Sequence, residues 1–268
     1  MKNNIKLIVS DCDGTLLNEK KEIDTEITEV IHELKNQGIR FTIASGRGLC
    51  MLPSILKALP INAPYITDNG ANIYESGQLL DTYTYSNSQL KYLTSLLYEH
   101  QIPFAAFTHK CAYEYSSSKF FEYARSIIIQ TLPILPYTKD TDFDGYEGYK
   151  ITLDATNKEN IQELRKRAMK QCPDIAFEQS ERMLFTITNK EANKGKALAR
   201  LANRLQIPLD SIMAFGDNYN DVGMISKAGV GIAVANGQEE AKAVANDICG
   251  KSSDNGVSHY LKNYFNLK

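Results

Sequence analysis

Several absences narrow the reading of this 268-residue sequence before any motif is considered. It has no excess of one charge: 30 basic against 32 acidic residues leave a formal net charge of -2, without the positive field that nucleic acid or an anionic membrane would favour. Neither partner is expected. No apolar run approaches a membrane span, and the one that opens MKNNIKLIVSD meets an acid too early for a signal-peptide core. The protein is expected to be neither secreted nor embedded. Five cysteines, Cys12, Cys50, Cys111, Cys172 and Cys249, are scattered, odd in number and without a CxxC pair. They indicate neither a disulfide framework nor a thiolate zinc site, and a reducing cytoplasm is the expected location. No repeat or low-complexity tract stands out. The chain has the make-up of a globular protein with one large domain or two smaller ones.

What is present alternates between strand and helix at both ends. Residues 5–9, IKLIV, are a short apolar run with β-branched residues and predict a buried strand ending at Ser10. Ile27, Val30, Ile31 and Leu34 then recur at helical spacing, with Asp24 as N-cap and Gly38 as stop. A second strand is expected in IRFTIAS (39–45), a helical stretch toward Leu59, and another strand in PYIT (64–67). This spacing predicts βαβ units and a parallel sheet. Farther on, Ala197, Leu198, Leu201 and Leu205 mark a helix, and SIMAF (211–215) and GVGIAV (229–234) mark strands. The middle differs in texture. Most of the 15 tyrosines lie between Tyr83 and Tyr149. There AAFT, CAYEYS, YKITLDA, IAFEQ and MLFTIT read as strands, with helices near 88–100 and 158–170. The expectation is an α/β core, residues 1–82 and 188–268, interrupted by an α+β insertion over 83–187.

An open parallel sheet gathers the C-terminal ends of its strands along one edge, where ligands bind. Four polar segments converge on that edge. In Asp11-Cys12-Asp13-Gly14-Thr15, two carboxylates two residues apart can divide labour, one attacking or holding a cation while the other moves a proton. A solvated acidic turn is an equally weighted alternative for this segment alone. A calcium loop fits poorly, because Leu16 stands where its glycine belongs. In Ala44-Ser45-Gly46-Arg47, a hydroxyl and a backbone N–H suit a phosphate oxygen, although Ser and Gly also cap helices. Arg47 either contacts substrate or pairs with a carboxylate, and is read mainly as structural. Lys194 of Asn193-Lys194-Gly195-Lys196 can neutralise a phosphoryl group or be a solvated charge. In Gly216-Asp217-Asn218-Tyr219-Asn220-Asp221, carboxylates and amides without His or Cys suit Mg²⁺, a hard cation that takes oxygen ligands. A polar helix cap is the alternative there.

DCDGTLL, ASGR, NKGKAL and GDNYNDVGMI occur in the order and context of the four motifs of haloacid dehalogenase-like (HAD) phosphatases, and the chain resembles that family, in particular its Cof-type subgroup. TDNGANIY, AGVGIAVANG and DNGVSHYL are similar to further segments of the subgroup. The resemblance implies a Rossmann-like core with a parallel sheet plus an inserted α+β cap domain. It also implies a phosphatase acting on a small phosphorylated metabolite such as a sugar phosphate, pyridoxal phosphate or flavin mononucleotide. Asp11 would be the nucleophile and Asp13 the acid/base. Mg²⁺ would be held by Asp11, Asp217 and the carbonyl of Asp13. Phosphate would be bound by the Cys12 backbone N–H, Ser45, Gly46, Lys194 and Asn220, with Asp221 supporting the metal. The Cys12 thiol has no role in this scheme.

A phosphomutase of the same superfamily would share these residues and differ in needing a bisphosphate activator. A signalling receiver also combines a phosphoaccepting Asp, Mg²⁺ and a Lys, but needs neither Asp13 nor a large insertion. The insertion is expected to set specificity, its tyrosines being core more often than ring-stacking groups. Asn69 of the Asn69-Gly70 pair either faces the leaving group or makes a hairpin turn. His32, His100, His109 and His259 match no motif, and composition leaves the oligomeric state open.

Overall fold

Leu7–Ser10 form a strand with all four residues buried. Such continuous burial arises when helices cover both faces of a parallel sheet, so that no strand residue alternates toward water. The computed structural model describes residues 4–116, 118, 119, 121, 122, 125, 132–156, 161–181 and 184–267. The chain divides into two compact units, one made of Met1–Asp81 and Asn193–Lys268, the other of Thr82–Ala192. The first segment carries β1 (Leu7–Ser10), β2 (Arg40–Ile43), β3 (Tyr65–Thr67), β4 (Asn72–Glu75) and β5 (Gln78–Thr82). The middle carries β6 (Phe104–Phe107), β7 (Ala112–Tyr115), β8 (Ile134–Pro136), β9 (Lys150–Asp154), β10 (Ile175–Glu181) and β11 (Leu184–Asn189). The last segment adds β12 (Ile212–Gly216), β13 (Val230–Val234) and β14 (Asp247–Cys249).

In the first unit a five-stranded sheet has the order β14-β13-β12-β1-β2, parallel throughout. Alternate residues of β1 face opposite sides, as strand geometry requires. Ile8 packs with Phe41, Met213 and Phe215 beneath Ile27, Val30, Ile31 and Leu34 of the helix Thr25–Asn36, and with Val257 and Leu261 of the helix Gly256–Phe265. Leu7 and Val9 pack with Ala197, Leu198 and Leu201 of the helix Lys194–Leu205 on the other side. The expected cap is present, Asp24 accepting the N–H of Glu26, and Gly38 follows the helix at a φ of 79°.

PYIT departs from the βαβ expectation. Instead of joining the parallel sheet, β3 pairs antiparallel with β4 in a separate three-stranded sheet of order β3-β4-β5. A parallel bridge from Ala44 to Ile66 connects it to the end of β2. The reason is local: Asp68, Asn69 and Gly70 all take positive φ, so the chain folds straight back at a four-residue turn, the hairpin alternative for Asn-Gly.

The second unit holds a six-stranded sheet, β10-β11-β9-β6-β7-β8, in which β7 and β8 pair parallel and the other neighbouring strands pair antiparallel. The helix Asn87–Glu99 starts at a capping box on Ser86 and buries Leu90, Leu93, Leu96 and Leu97. With Leu164 and Ala168 of the helix Ile161–Gln171 these join Phe104, Ile151, Phe177 and Ile187 in one core. Tyr85, Tyr113, Tyr137 and Tyr149 are buried. The Tyr98–Tyr115 and Phe104–Tyr137 ring centroids lie 4.7 and 5.0 Å apart. These aromatics are mainly core. Short β8 went unmarked in the sequence because its ILP run carries no alternation. The expected starts of the second helix at 158 and of MLFTIT at Met183 lie outside the described residues.

Candidate active site

Register places the candidate residues. Ser10 of β1 lies opposite Ile43 of β2 and Phe215 of β12, so Asp11, Ser45 and Asp217 all emerge at the same edge of the sheet. The Asp11 N–H donates to the carbonyl of Phe215 at 2.9 Å. Behind Asp11, Gly14 turns the chain at a φ of 83°, and a Cβ there would overlap the Asp217 carboxylate. Only glycine fits both demands. Thr15 donates its hydroxyl to Asp217 Oδ1 at 3.0 Å, and Asn236 donates to the Gly14 carbonyl at 2.8 Å. Thr15 and Asn236 are supports that motif reading passed over.

Lys194 is fully buried and holds two carboxylates, with Nζ 2.5 Å from Asp11 Oδ1 and 2.6 Å from Asp221 Oδ1. Its placement rests on Gly195, where a Cβ would collide with the backbone of Gly223. The helices Lys194–Leu205 and Val222–Lys227 therefore meet backbone to backbone, which sets Lys194 beside Asp221. Asp221 spends its other oxygen on the N–H groups of Asp217 and Asn218, both at 3.1 Å.

Asp11, Asp217 and Asp221 each offer an oxygen within 4.8 Å of the others. Burial pushes the Asp11 carboxyl well above its usual range, Lys194 opposing and Asp221 and Asp217 adding to the rise. Burial and the neighbouring Asp221 raise Asp217 to about 6. Lys194 is held above the usual lysine value, since Asp11 and Asp221 outweigh the burial that would lower it. Three carboxylates against one ammonium leave the cluster rich in negative charge and oxygen donors, without His or Cys. That is a donor set suited to a divalent hard cation. Asp221 accepts three hydrogen bonds, more than the Asp11 or Asp217 side chain, which makes those two the better candidates for holding one.

Asp13 sits apart from this cluster. Its Oδ2 accepts from Arg47 Nε and its Oδ1 from Arg47 Nη2, both at 2.7 Å, and Lys21 Nζ reaches Oδ1 at 2.8 Å. Burial would raise its pKa, but the two cations outweigh that and hold the carboxyl below the usual range. Arg47 is thus the carboxylate partner expected of it, whereas Lys21, turned into place at a φ of 63°, had no signal in the sequence. The Ser45 hydroxyl is buried, accepts the Arg47 N–H at 3.1 Å and meets the Cys12 thiol. That thiol is itself buried and, through burial and the Asp11 charge, raised far above the usual range. Gly46 lies beside the Asn69 side chain, and the exposed Asn220 donates to Asn69 Oδ1 at 2.8 Å. All nine candidate residues therefore lie on the first unit, on the loops that follow β1, β2 and β12 and at the start of the helix Lys194–Leu205.

The fold is a Rossmann-like α/β core with a parallel sheet and an inserted α+β unit. Residues 8–261 match the haloacid dehalogenase-like hydrolase family. The chain belongs to that family and is a hydrolase of the phosphatase type, the class indicated by its four motifs. It is similar to the 5-amino-6-(5-phospho-D-ribitylamino)uracil phosphatase YcsE of Bacillus subtilis, 27% identical over 97% of this chain and 96% of the relative. Phosphatase YwpJ of the same organism is 26% identical over 96% of this chain and 99% of its own. A solved haloacid dehalogenase-like hydrolase from B. subtilis has a TM-score of 0.82 at 26% identity, covering 96% of this chain and 99% of the other.

Proposed function

We propose that the enzyme hydrolyses phosphomonoesters of small metabolites in two displacements, with Asp11 as the nucleophile. The carrying observation is the buried Asp11–Lys194–Asp221 arrangement beside Asp217 at the sheet edge. Phosphoryl transfer brings an anionic nucleophile to an anionic substrate, so positioning and positive charge supply most of the catalysis. Asp11 attacks phosphorus with Oδ2 while Lys194 steadies Oδ1 and offers its remaining N–H to a phosphoryl oxygen. The ester P–O bond breaks and its electron pair leaves on the alcohol oxygen, which takes a proton from Asp13. Asp13 then accepts a proton from the water that attacks the aspartyl phosphate, releasing phosphate and restoring the Asp11 carboxylate. Held as a carboxylate by Arg47 and Lys21, Asp13 leaves those ion pairs and takes up a proton from solvent before the first transfer. The Cys12 N–H, Ser45, Gly46 and Asn220 complete the phosphate pocket. Mg²⁺ held by Asp11, Asp217 and the Asp13 carbonyl, with Asp221 behind them, would supply charge that keeps Asp11 ionised and offsets the phosphoryl oxygens.

We assign substrate choice to the inserted unit. Sugar phosphates and cofactor phosphates such as flavin mononucleotide or pyridoxal phosphate are the candidate class, and YcsE, named for a phosphorylated ribityl compound, supports including ribityl phosphates. None of the five cysteines is in a disulfide and all are buried, which supports a cytoplasmic location. No helix among the described residues is long and apolar enough to cross a membrane. The test is hydrolysis of p-nitrophenyl phosphate with Mg²⁺ or with EDTA, beside Asp11→Asn. Activity lost in both EDTA and the variant is expected, and full activity in Asp11→Asn would overturn the nucleophile assignment.

A further inference from the structure

Between β3 and β4 the chain takes three successive left-handed residues, Asp68, Asn69 and Gly70, at φ values of 53°, 56° and 98°. Side chains disfavour this region, and such conformations persist where the surroundings over-determine them. Here the surroundings do. The Asp68 N–H donates to the Arg47 carbonyl at 3.0 Å and the Asn69 N–H to the Ser45 carbonyl at 3.1 Å. The buried Asp68 carboxylate accepts from the Thr67 hydroxyl and the Asn72 amide. Gly70 lies so close to Asn193 that a Cβ would come within 2.5 Å of its carbonyl, and Arg200 donates to the Gly70 carbonyl at 2.6 Å. The turn is thereby fixed between the Ser45–Arg47 loop and the start of the Lys194–Leu205 helix.

At its apex stands the Asn69 side chain. Its Oδ1 accepts from Asn220 Nδ2 at 2.8 Å and lies against Gly46, where a Cβ would stand 2.9 Å from it. Asn220 is exposed, and no other side chain among the described residues is bonded to its amide. One of the two Nδ2 hydrogens of Asn220 is thus spent on Asn69, which fixes the direction of the other.

We propose that Asn69 is a positioning residue of the phosphatase site: its carbonyl, lodged against Gly46, orients the Asn220 amide. The left-handed turn is the means by which this amide is aimed. The inference rests on the reading of Asn220 as a phosphate-binding residue and adds a residue that acts through it.

The test uses Asn69→Gly, because glycine adopts the same φ freely and only the amide is lost. Activity on p-nitrophenyl phosphate and inhibition by inorganic phosphate are measured for wild type, Asn69→Gly, Asn220→Ala and the double variant, with Asp11→Asn alongside and thermal unfolding as the check on folding. Asn69→Gly is expected to raise KM and the phosphate inhibition constant about tenfold, the scale of one oriented hydrogen bond, with a smaller change in kcat. The double variant should be no worse than Asn220→Ala, since the two residues act as one unit. Multiplying losses in the double variant, or Asn69→Gly within about twofold of wild type, would overturn the inference. Full activity in Asp11→Asn would instead overturn the phosphatase mechanism itself, so the two failures are distinguishable.

Discussion

Replacing Lys194 by methionine keeps most of the aliphatic bulk and removes the charge that holds Asp11 and Asp221 together. Lys194 and Asp221 are fully buried and the Asp11 side chain is 6% exposed, so water cannot take the place of the ammonium. Breaking a buried pair by removing one partner costs about 3–5 kcal/mol, because the other charge is stranded. A ceiling follows from proton uptake: neutralising at pH 7 a carboxyl whose ordinary pKa is 3.8 costs about 4 kcal/mol, and the stranded group protonates before the penalty exceeds that. Asp221 keeps its two backbone donors, so the loss falls mainly on Asp11. The expected destabilisation is about 3–4 kcal/mol, or roughly 6–16 °C in Tm for a protein of this size. Thermal unfolding in EDTA, followed by circular dichroism, reads it. The pair Lys194→Met with Asp11→Asn should recover part of the loss, because the second substitution removes the stranded charge. A Tm within about 2 °C of wild type, or no recovery in the double variant, would refute the electrostatic account.

Gly14→Ala places a methyl group on the Asp217 carboxylate at a φ of 83°; phosphatase activity should fall at least about tenfold, with a loss of stability of about 1–3 kcal/mol in denaturant unfolding. Phe104→Ala empties the centre of the inserted unit, where Phe104 packs on Tyr115 and Tyr137, and should cost about 3–5 kcal/mol by the same measurement. Glu26 bridges to Lys262 at 3.0 Å, and that hydrogen bond holds its carboxyl below the ordinary 4.5. A depressed folded pKa contributes stability above the unfolded value and loses it as pH falls through the folded one. Wild type should therefore unfold at a higher temperature than Glu26→Gln near neutrality. The difference should shrink as pH falls below 4.5 and in high salt, and a gap that widened on acidification would contradict the ion pair.

Much of the site was legible in the sequence because its signals are local. An apolar run ending in Asp11-Cys12-Asp13-Gly14 fixes a strand, the acids at its end and the turn after them, and SIMAF followed by Gly216-Asp217 does the same for β12. The helix over Thr25–Asn36 could be read from four apolar positions and one cap. PYIT misled because so short a run cannot show which sheet it will join; the left-handed turn after it decides.

Local chemistry in the sequence thus determined the parallel core, the inserted α+β segment and the types of residue at the sheet edge. Tertiary structure alone decided which atoms meet. The close approach of Gly195 and Gly223 sets Lys194 between Asp11 and Asp221, the bend at Lys21 closes a second cation onto Asp13, and the turn at Asp68–Gly70 aims Asn69 at Asn220. These pairings join residues up to 183 positions apart. Their geometry depends on register and on how closely two backbones approach, and neither is written in any one segment.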